Sequence, residues 1–181
     1  MIIIETVGVG QLETTVRGMV DFFLLLMMAG AGDELQGIKK GIMEMADGIA
    51  ITKADGENQS RATQAQADFQ HALHLFQLPE SGWSPKVITT SAFEHKGIEK
   101  TWEMIEQYHR FTNQNGFFLK NRQHQNLSWM EESFHLLQNR RLANDANFQK
   151  KKKELENKIT ENKITAREAA NQLLSFNLNK K

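Results

Sequence analysis

Cysteine is absent from the 181-residue chain, which excludes a disulfide framework, a zinc-thiolate site and a cysteine nucleophile. Proline is scarce, occurring only at positions 79 and 85. No apolar run is long enough to span a membrane; the longest, from Phe22 to Ala31, is far short of the roughly 20 residues needed. The N-terminus carries no basic stretch ahead of an apolar one, so no secretory signal is expected and a cytoplasmic location follows by default. There is no excess of either charge: 22 Lys and Arg balance 22 Asp and Glu. Neither nucleic acid nor a membrane is an expected partner. What is present, 40% hydrophobic and 24% charged residues, is the ordinary make-up of a folded globular chain.

The neutral total conceals a division. Residues 1–110 hold 9 basic against 15 acidic side chains, and residues 111–181 hold 13 against 7. Both prolines and 11 of the 12 glycines fall in the first stretch. A loop-rich α/β unit over residues 1–115 and a basic helical extension over 116–181 are therefore expected.

Four short apolar runs in the first unit read as buried parallel strands. They are Met1 to Thr6 with Ile2, Ile3 and Ile4, then Phe22 to Met28, Gly48 to Thr52 and Pro85 to Thr90. Helical spacing separates them: Ile38, Ile42 and Met45; then Ala62, Ala65, Phe69, Leu73 and Phe76, with Ser60 as a candidate cap; then Ile98, Trp102 and Ile105. Alternation of this kind predicts a parallel sheet with helices on both faces. Ligands then bind beyond the carboxyl ends of the strands, so the loops there are the place to seek chemistry. After Gly116 only helical stripes remain: Leu127, Met130, Phe134 and Leu137, then Phe148, Leu155 and Ile159. The tetrapeptide Thr165-Ala166-Arg167-Glu168 has the form of a capping box. Narrow stripes on charged helices suggest an arm in need of a partner surface.

Three loops carry candidate chemistry. Thr52-Lys53-Ala54-Asp55 follows a strand. A carboxylate at Asp55 can accept both donors on one edge of guanine, its ring N–H and its amino group, a pattern adenine lacks. The aliphatic stem of Lys53 can lie over the base while its ammonium stays in water. A plain polar turn accounts equally well for this tetrapeptide taken alone. Ser91-Ala92-Phe93, one strand and one helix further on, is a small-residue loop that lets backbone N–H groups approach a base oxygen. Glu5-Thr6-Val7-Gly8 ends the first run; its acid can hold a magnesium ion, and Gly8 leaves room for an N–H to meet a phosphate.

In order and spacing these loops resemble the switch II, base-reading and base-backing motifs of a GTP-binding domain. A longer match sharpens this. Glu5-Thr6-Val7-Gly8-Val9-Gly10-Gln11, then the stretch from Gly30 to Gly41 (GAGDELQGIKKG), then Ala46-Asp47-Gly48 leading into Lys53-Ala54-Asp55, resemble the MeaB/ArgK family of methylmalonyl-CoA mutase-associated GTPases. The resemblance covers nearly the whole chain. It implies an α/β domain of the P-loop NTPase type with a C-terminal helical dimerisation arm. It implies GTP and GDP as ligands with Mg2+, and a GTP-hydrolysing chaperone that loads and protects an adenosylcobalamin-dependent methylmalonyl-CoA mutase or a related cobalamin enzyme. Glu5 falls on the switch II acid near magnesium and Gly8 on the glycine at the terminal phosphate. Thr52, Lys53, Ala54 and Asp55, with Ser91, Ala92 and Phe93, fall on the base site. Asp33, Glu34, Gln36, Lys39 and Lys40 fall on a loop that couples to the mutase.

Two departures qualify the resemblance. Thr52 stands where the base-reading motif has asparagine, so weaker tethering of a neighbouring loop is expected. No phosphate-binding loop is present: Gly32 and Gly37 have its spacing, but Ile38 occupies the lysine position and Asp33 and Glu34 oppose phosphate. In the family that loop precedes switch II, so the chain is expected to correspond to the C-terminal portion of a member and to be inactive by itself. A second function class stays open, a non-enzymatic dimerisation or interaction module. The Lys150–Lys153 run, followed by Glu154 and Glu156, reads as a solvated helix face, and His71 with His74 lacks a third metal ligand.

Overall fold

The computed structural model describes residues 1–6, 13–29 and 39–178. It divides into two compact units, Met1–Gln125 and Asn126–Lys181.

Three strands form the sheet among the described residues: β1 (Leu24–Met28), β2 (Gly48–Thr52) and β3 (Lys86–Thr89), in the order β1-β2-β3 and all parallel. Leu26 lies opposite Ala50, and Ile51 opposite both Met27 and Thr89. Around them run α1 (Glu13–Arg17), α2 (Lys39–Met45), α3 (Gln59–Leu73) and α4 (Ile98–Gln114). The central strand reads Gly-Ile-Ala-Ile-Thr and is buried over its first four residues, as a strand with neighbours on both sides must be. Alternation along the strands sorts the side chains between two faces. Leu25, Met27, Ile49, Ile51 and Val87 pack with Ile42 and Met43 of α2 and Phe69 and Leu73 of α3 into one closed core. On the other face Met104 and Tyr108 of α4 pack with Trp83, Phe22, Leu24 and Ile88. Phe22 and Trp83 each meet the Tyr108 ring edge-on, with centroids 5.0 and 5.6 Å away. Gly48 gives these side chains room, since a Cβ there would lie 2.6 Å from Met104 Cε and 2.9 Å from the Phe22 ring, which would have to shift.

The Ile2–Ile4 run is not a strand. Residues 1–6 have no regular structure, and Ile2 and Ile3 are 90% and 80% exposed. A strand is defined by a neighbour's hydrogen bonds, which residues 1–6 do not have here. The Phe22 to Met28 run does form β1, but it is buried on one face only: Leu26 and Met28 remain 61% and 50% exposed. Ser60 is not the cap of α3. A 3-10 turn at Gly56–Asn58 leads directly into Gln59, which puts Asn58 at the cap position and Ser60 inside the first turn.

From Phe117 onward the described residues up to 178 form three helices joined by short connections: α5 (Phe117–Ala143), α6 (Ala146–Thr160) and α7 (Ala166–Leu178). Within the first unit, Arg122 of α5 makes a two-pronged pair with Asp21, at 2.8 and 2.6 Å. In the second unit α6 and α7 pack on each other around Leu155 and Ala169, both buried. Asp145 caps α6 by accepting from the amides of Asn147 and Phe148, each at 3.0 Å. The capping box forms as the sequence predicts. The Glu168 amide donates to Thr165 Oγ1 at 3.2 Å, and the Thr165 amide donates to the Glu168 carboxylate at 2.9 Å. Leu127, Met130, Phe134 and Leu137 of α5 are all exposed.

Candidate functional site

Because β2 and β3 are parallel, their carboxyl ends lie side by side, and the loops that leave them, Lys53–Asp55 and Thr90–Gly97, are neighbours. Main-chain bonds fasten the two together. The Thr90 amide donates to the Ile51 carbonyl at 2.7 Å, and the Ala54 amide donates to the Thr90 carbonyl at 3.0 Å. Ser91 and Lys96 exchange a further pair at 2.9 and 3.0 Å, closing the second loop on itself. That closure depends on Gly97, whose φ is +76° and where a Cβ would sit 2.1 Å from the Thr89 carbonyl oxygen. Gly97 is also the residue from which α4 starts.

The side chains are ordered by the same contacts. Ser91, fully buried, donates from Oγ to Asp55 Oδ2 at 2.5 Å and accepts from the Glu94 amide at 3.0 Å. Asp55 stands at the start of the 3-10 turn but its carboxylate caps nothing. One oxygen is fixed by Ser91, which holds the group in one orientation. Lys53 is exposed and left-handed, with φ +55°. Thr52 donates from Oγ1 to the Met27 carbonyl at 3.0 Å, so its hydroxyl ties β2 to the end of β1.

Lys53, Asp55, Ala92 and Phe93 line a cavity of about 810 Å³ that continues over Leu26, Ala50, Trp102 and Ile105. The cavity is thus polar at the strand ends and apolar between the open face of the sheet and α4. Phe93 is 87% exposed. The predicted base-site residues are brought together in this one place.

The other predicted residues are not part of it. Glu5 is exposed in the irregular N-terminal stretch and does not line the cavity. Gly8, Asp33, Glu34 and Gln36 lie outside the described residues; Lys39 and Lys40 open α2. Among the described residues no three His, Asp or Glu side chains come together as a metal site.

Two residues with structural weight escape a linear reading. Asn58 donates from Nδ2 to the Lys53 carbonyl at 2.7 Å, a bond spanning five residues. Asp47, at the foot of β2, is buried, accepts from the Phe23 amide at 2.8 Å and from Arg17 Nη2 of α1 at 3.2 Å, and is ion-paired with Arg17 Nη1 at 3.1 Å. Its carbonyl also takes the Trp83 Nε1–H at 2.9 Å. Burial raises the Asp47 carboxyl to about 6, against the opposing pull of Arg17. Burial and the adjoining carboxylate push the Tyr108 hydroxyl up to about 12. The only sequence signal for this cluster is Asp47 itself, an acid directly ahead of a buried strand.

Parallel strands alternating with helices, with a lysine–aspartate turn and a serine-anchored loop side by side at the strand ends, define an α/β protein whose candidate site lies at the carboxyl ends of its strands. The chain belongs to the family described as "Methylmalonyl Co-A mutase-associated GTPase MeaB", which it matches over residues 1–171. It is 43% identical over 132 residues to the GTPase ArgK of Escherichia coli (strain K12), covering 73% of this chain and 40% of that protein. It is 37% identical over 176 residues to a probable GTPase of Mycobacterium bovis, covering 97% of this chain and 52% of the relative. A mouse protein named "Methylmalonic aciduria type A homolog, mitochondrial" is 45% identical over 130 residues, 72% of this chain and 31% of its own length. In structure the chain is similar to a LAO/AO transport system kinase, with a TM-score of 0.71 and 33% identity, covering 96% of this chain and 56% of the other. The chain therefore spans about half or less of the length of these relatives.

Proposed function

We propose that this chain supplies the guanine-recognition half of a GTPase that serves methylmalonyl-CoA mutase or a related cobalamin enzyme. The observation that carries the reading is the Asp55 carboxylate, fixed by buried Ser91 and set beside Lys53 at the mouth of the cavity. An oriented carboxylate accepts the N–H and amino donors of guanine together, and adenine offers no such pair. The stem of Lys53 covers one part of the base, and the exposed Phe93 ring offers a second apolar surface for it. GTP and GDP are then the ligands. Glu5 and Gly8 belong to the phosphate end, and the loop carrying Asp33, Glu34, Gln36, Lys39 and Lys40 to coupling with the partner enzyme. The helices after Gly116 serve as a homodimerisation arm, and the protein works in the cytoplasm.

Nucleosides test the base site without the phosphates. Guanosine should bind the purified chain more tightly than adenosine by NMR titration. Asp55→Asn exchanges one acceptor for a donor, which suits xanthosine, whose 2-position is an oxygen. The variant should lose on the order of 2 kcal/mol toward guanosine and gain relative affinity for xanthosine. Unchanged guanosine affinity would remove Asp55 from the base site.

A second reading, a docking module without catalysis, is favoured by the exposed Leu127, Met130, Phe134 and Leu137 of α5. Nucleoside binding separates the two, since the chain alone is expected to be inactive: a docking module without a nucleotide site shows no preference for guanosine over adenosine. Light scattering with and without residues 117–181 tests the arm.

A further inference from the structure

Asn58 ends the 3-10 turn directly before α3 with a helical backbone, φ −83° and ψ −9°, and its side chain makes no bond to the amides of α3. Its carboxamide is turned the other way. Nδ2 donates to the Lys53 carbonyl at 2.7 Å, and the Asn58 backbone amide donates to the Asp55 carbonyl at 3.0 Å. One residue thus holds the loop at both ends of the Lys53–Asp55 tripeptide. The loop requires holding, because Lys53 is left-handed at φ +55°, a conformation unfavourable for a residue with a Cβ. On the opposite side Ser91 fixes the Asp55 carboxylate and Thr90 the Ala54 amide. Without Asn58 the lysine end of the turn would have no side-chain brace among the described contacts.

We propose that Asn58 is a positioning residue for guanine recognition, its carboxamide locking Lys53 in the left-handed conformation and thereby setting the Lys53 stem and the Asp55 carboxylate in register for one base. This rests on the reading that Lys53 and Asp55 take guanine. Asn58 acts through the loop.

A shorter polar side chain gives a test that separates positioning from mere stability. Serine at position 58 keeps a hydroxyl on the same backbone, but it is one bond shorter than the carboxamide arm and falls short of the Lys53 carbonyl. Guanosine and inosine are titrated by NMR into the whole chain as wild type, Asn58→Ala and Asn58→Ser, with adenosine as a reference and thermal unfolding recorded for each. Inosine lacks the 2-amino group and offers Asp55 a single donor, so the guanosine-to-inosine ratio reports the alignment of the carboxylate. Both variants should weaken guanosine about three- to tenfold, the effect of one hydrogen bond, and inosine by less than twofold. Asn58→Ser should do so while remaining folded at the titration temperature, as its unfolding curve checks. A wild-type guanosine-to-inosine ratio in Asn58→Ser overturns the proposal. If the wild type itself prefers guanosine no more than adenosine, the guanine reading fails and the proposal with it.

Discussion

The two faces of the sheet are built from the same three strands and end in opposite conditions. On one, Leu25, Met27, Ile49, Ile51 and Val87 are buried against α2 and α3. On the other, α4 closes over Gly48 and Leu24 at the strand starts and packs on Ile88 of β3 but leaves Leu26 and Met28 open, with the cavity between. The difference shows which part of the unit holds itself together and which part leaves room for a ligand. Apolar burial contributes roughly 25 cal/mol per Å², so the closed face carries the stability. The half-covered face carries the space, and the polar loops at the strand ends give that space its chemistry.

The most damaging single change should be at the residue that brings α4 onto the open face. Gly97→Ala adds a Cβ 2.1 Å from a main-chain oxygen, at a φ that alanine resists. Backbone cannot retreat as a flexible side chain can, so the α4 start and the Ser91 loop must both shift. A loss of more than about 3 kcal/mol in urea unfolding is expected, together with loss of guanosine binding. Alanine tolerated at 97 would mean that α4 does not depend on this approach, and the open face would lose its stated cover.

The next effect contrasts the faces directly. Ile51 has no exposure, whereas Leu26, on the neighbouring strand and the other face, is mostly open. Ile51→Ala should cost about 3 kcal/mol through lost transfer energy and the cavity left behind. Leu26→Ala should cost less than about 1 kcal/mol. Equal losses in denaturant melts would show that Leu26 is covered in solution and that the two faces are alike.

The same contrast governs what the sequence discloses. Strands β2 and β3 and the capping box at Thr165 are legible because their signals are local: a short apolar run between turns, or a Thr and a Glu three apart. Ile2–Ile4 carries the same apolar signal as β2 and is irregular, because pairing comes from a neighbour and the run itself does not encode it. The base site is legible as residue types, since Lys53, Asp55 and Ser91 each have a reason to be what they are. The bonds that arrange them are not. Nothing in the order of residues says that Ser91 will meet Asp55, 36 positions away, or that Asn58 will turn from its helix toward Lys53. The same is true of Asp47, whose partners Arg17 and Phe23 are 30 and 24 residues distant.

Asp47 supplies the smallest and most specific expected effect, a pH dependence located where the second face is tightest. Its folded carboxyl titrates near 6 and its unfolded value is about 3.8. Between those values the folded chain binds more protons than the unfolded one, so stability falls as pH rises through the window. The contribution is fully present below about pH 4 and is gone above about pH 6. Its ceiling is on the order of 2–3 kcal/mol, because each pH unit between the two values is worth about 1.36 kcal/mol. Facing groups do not reverse the sign: the pull of Arg17 lowers the Asp47 carboxyl less than burial raises it, and Tyr108, pushed up to about 12, stays protonated. Exposed acids act in the opposite direction. Glu154 is held down to about 2 by hydrogen bonds from Lys158 and Lys151, and Glu168 is lowered by the Thr165 amide and hydroxyl, so both lose their partners' support in acid. The measurement is therefore a difference. Urea unfolding of the wild type and Asp47→Asn, compared at pH 4.5 and 7, cancels the exposed acids and leaves Asp47. Asparagine keeps an acceptor for the Phe23 amide and carries no charge to bury. The wild type should lose stability relative to the variant as the pH is raised. If the difference between the two chains does not change with pH, Asp47 is ionised over the whole range. Arg17 would then hold it more strongly than burial opposes it.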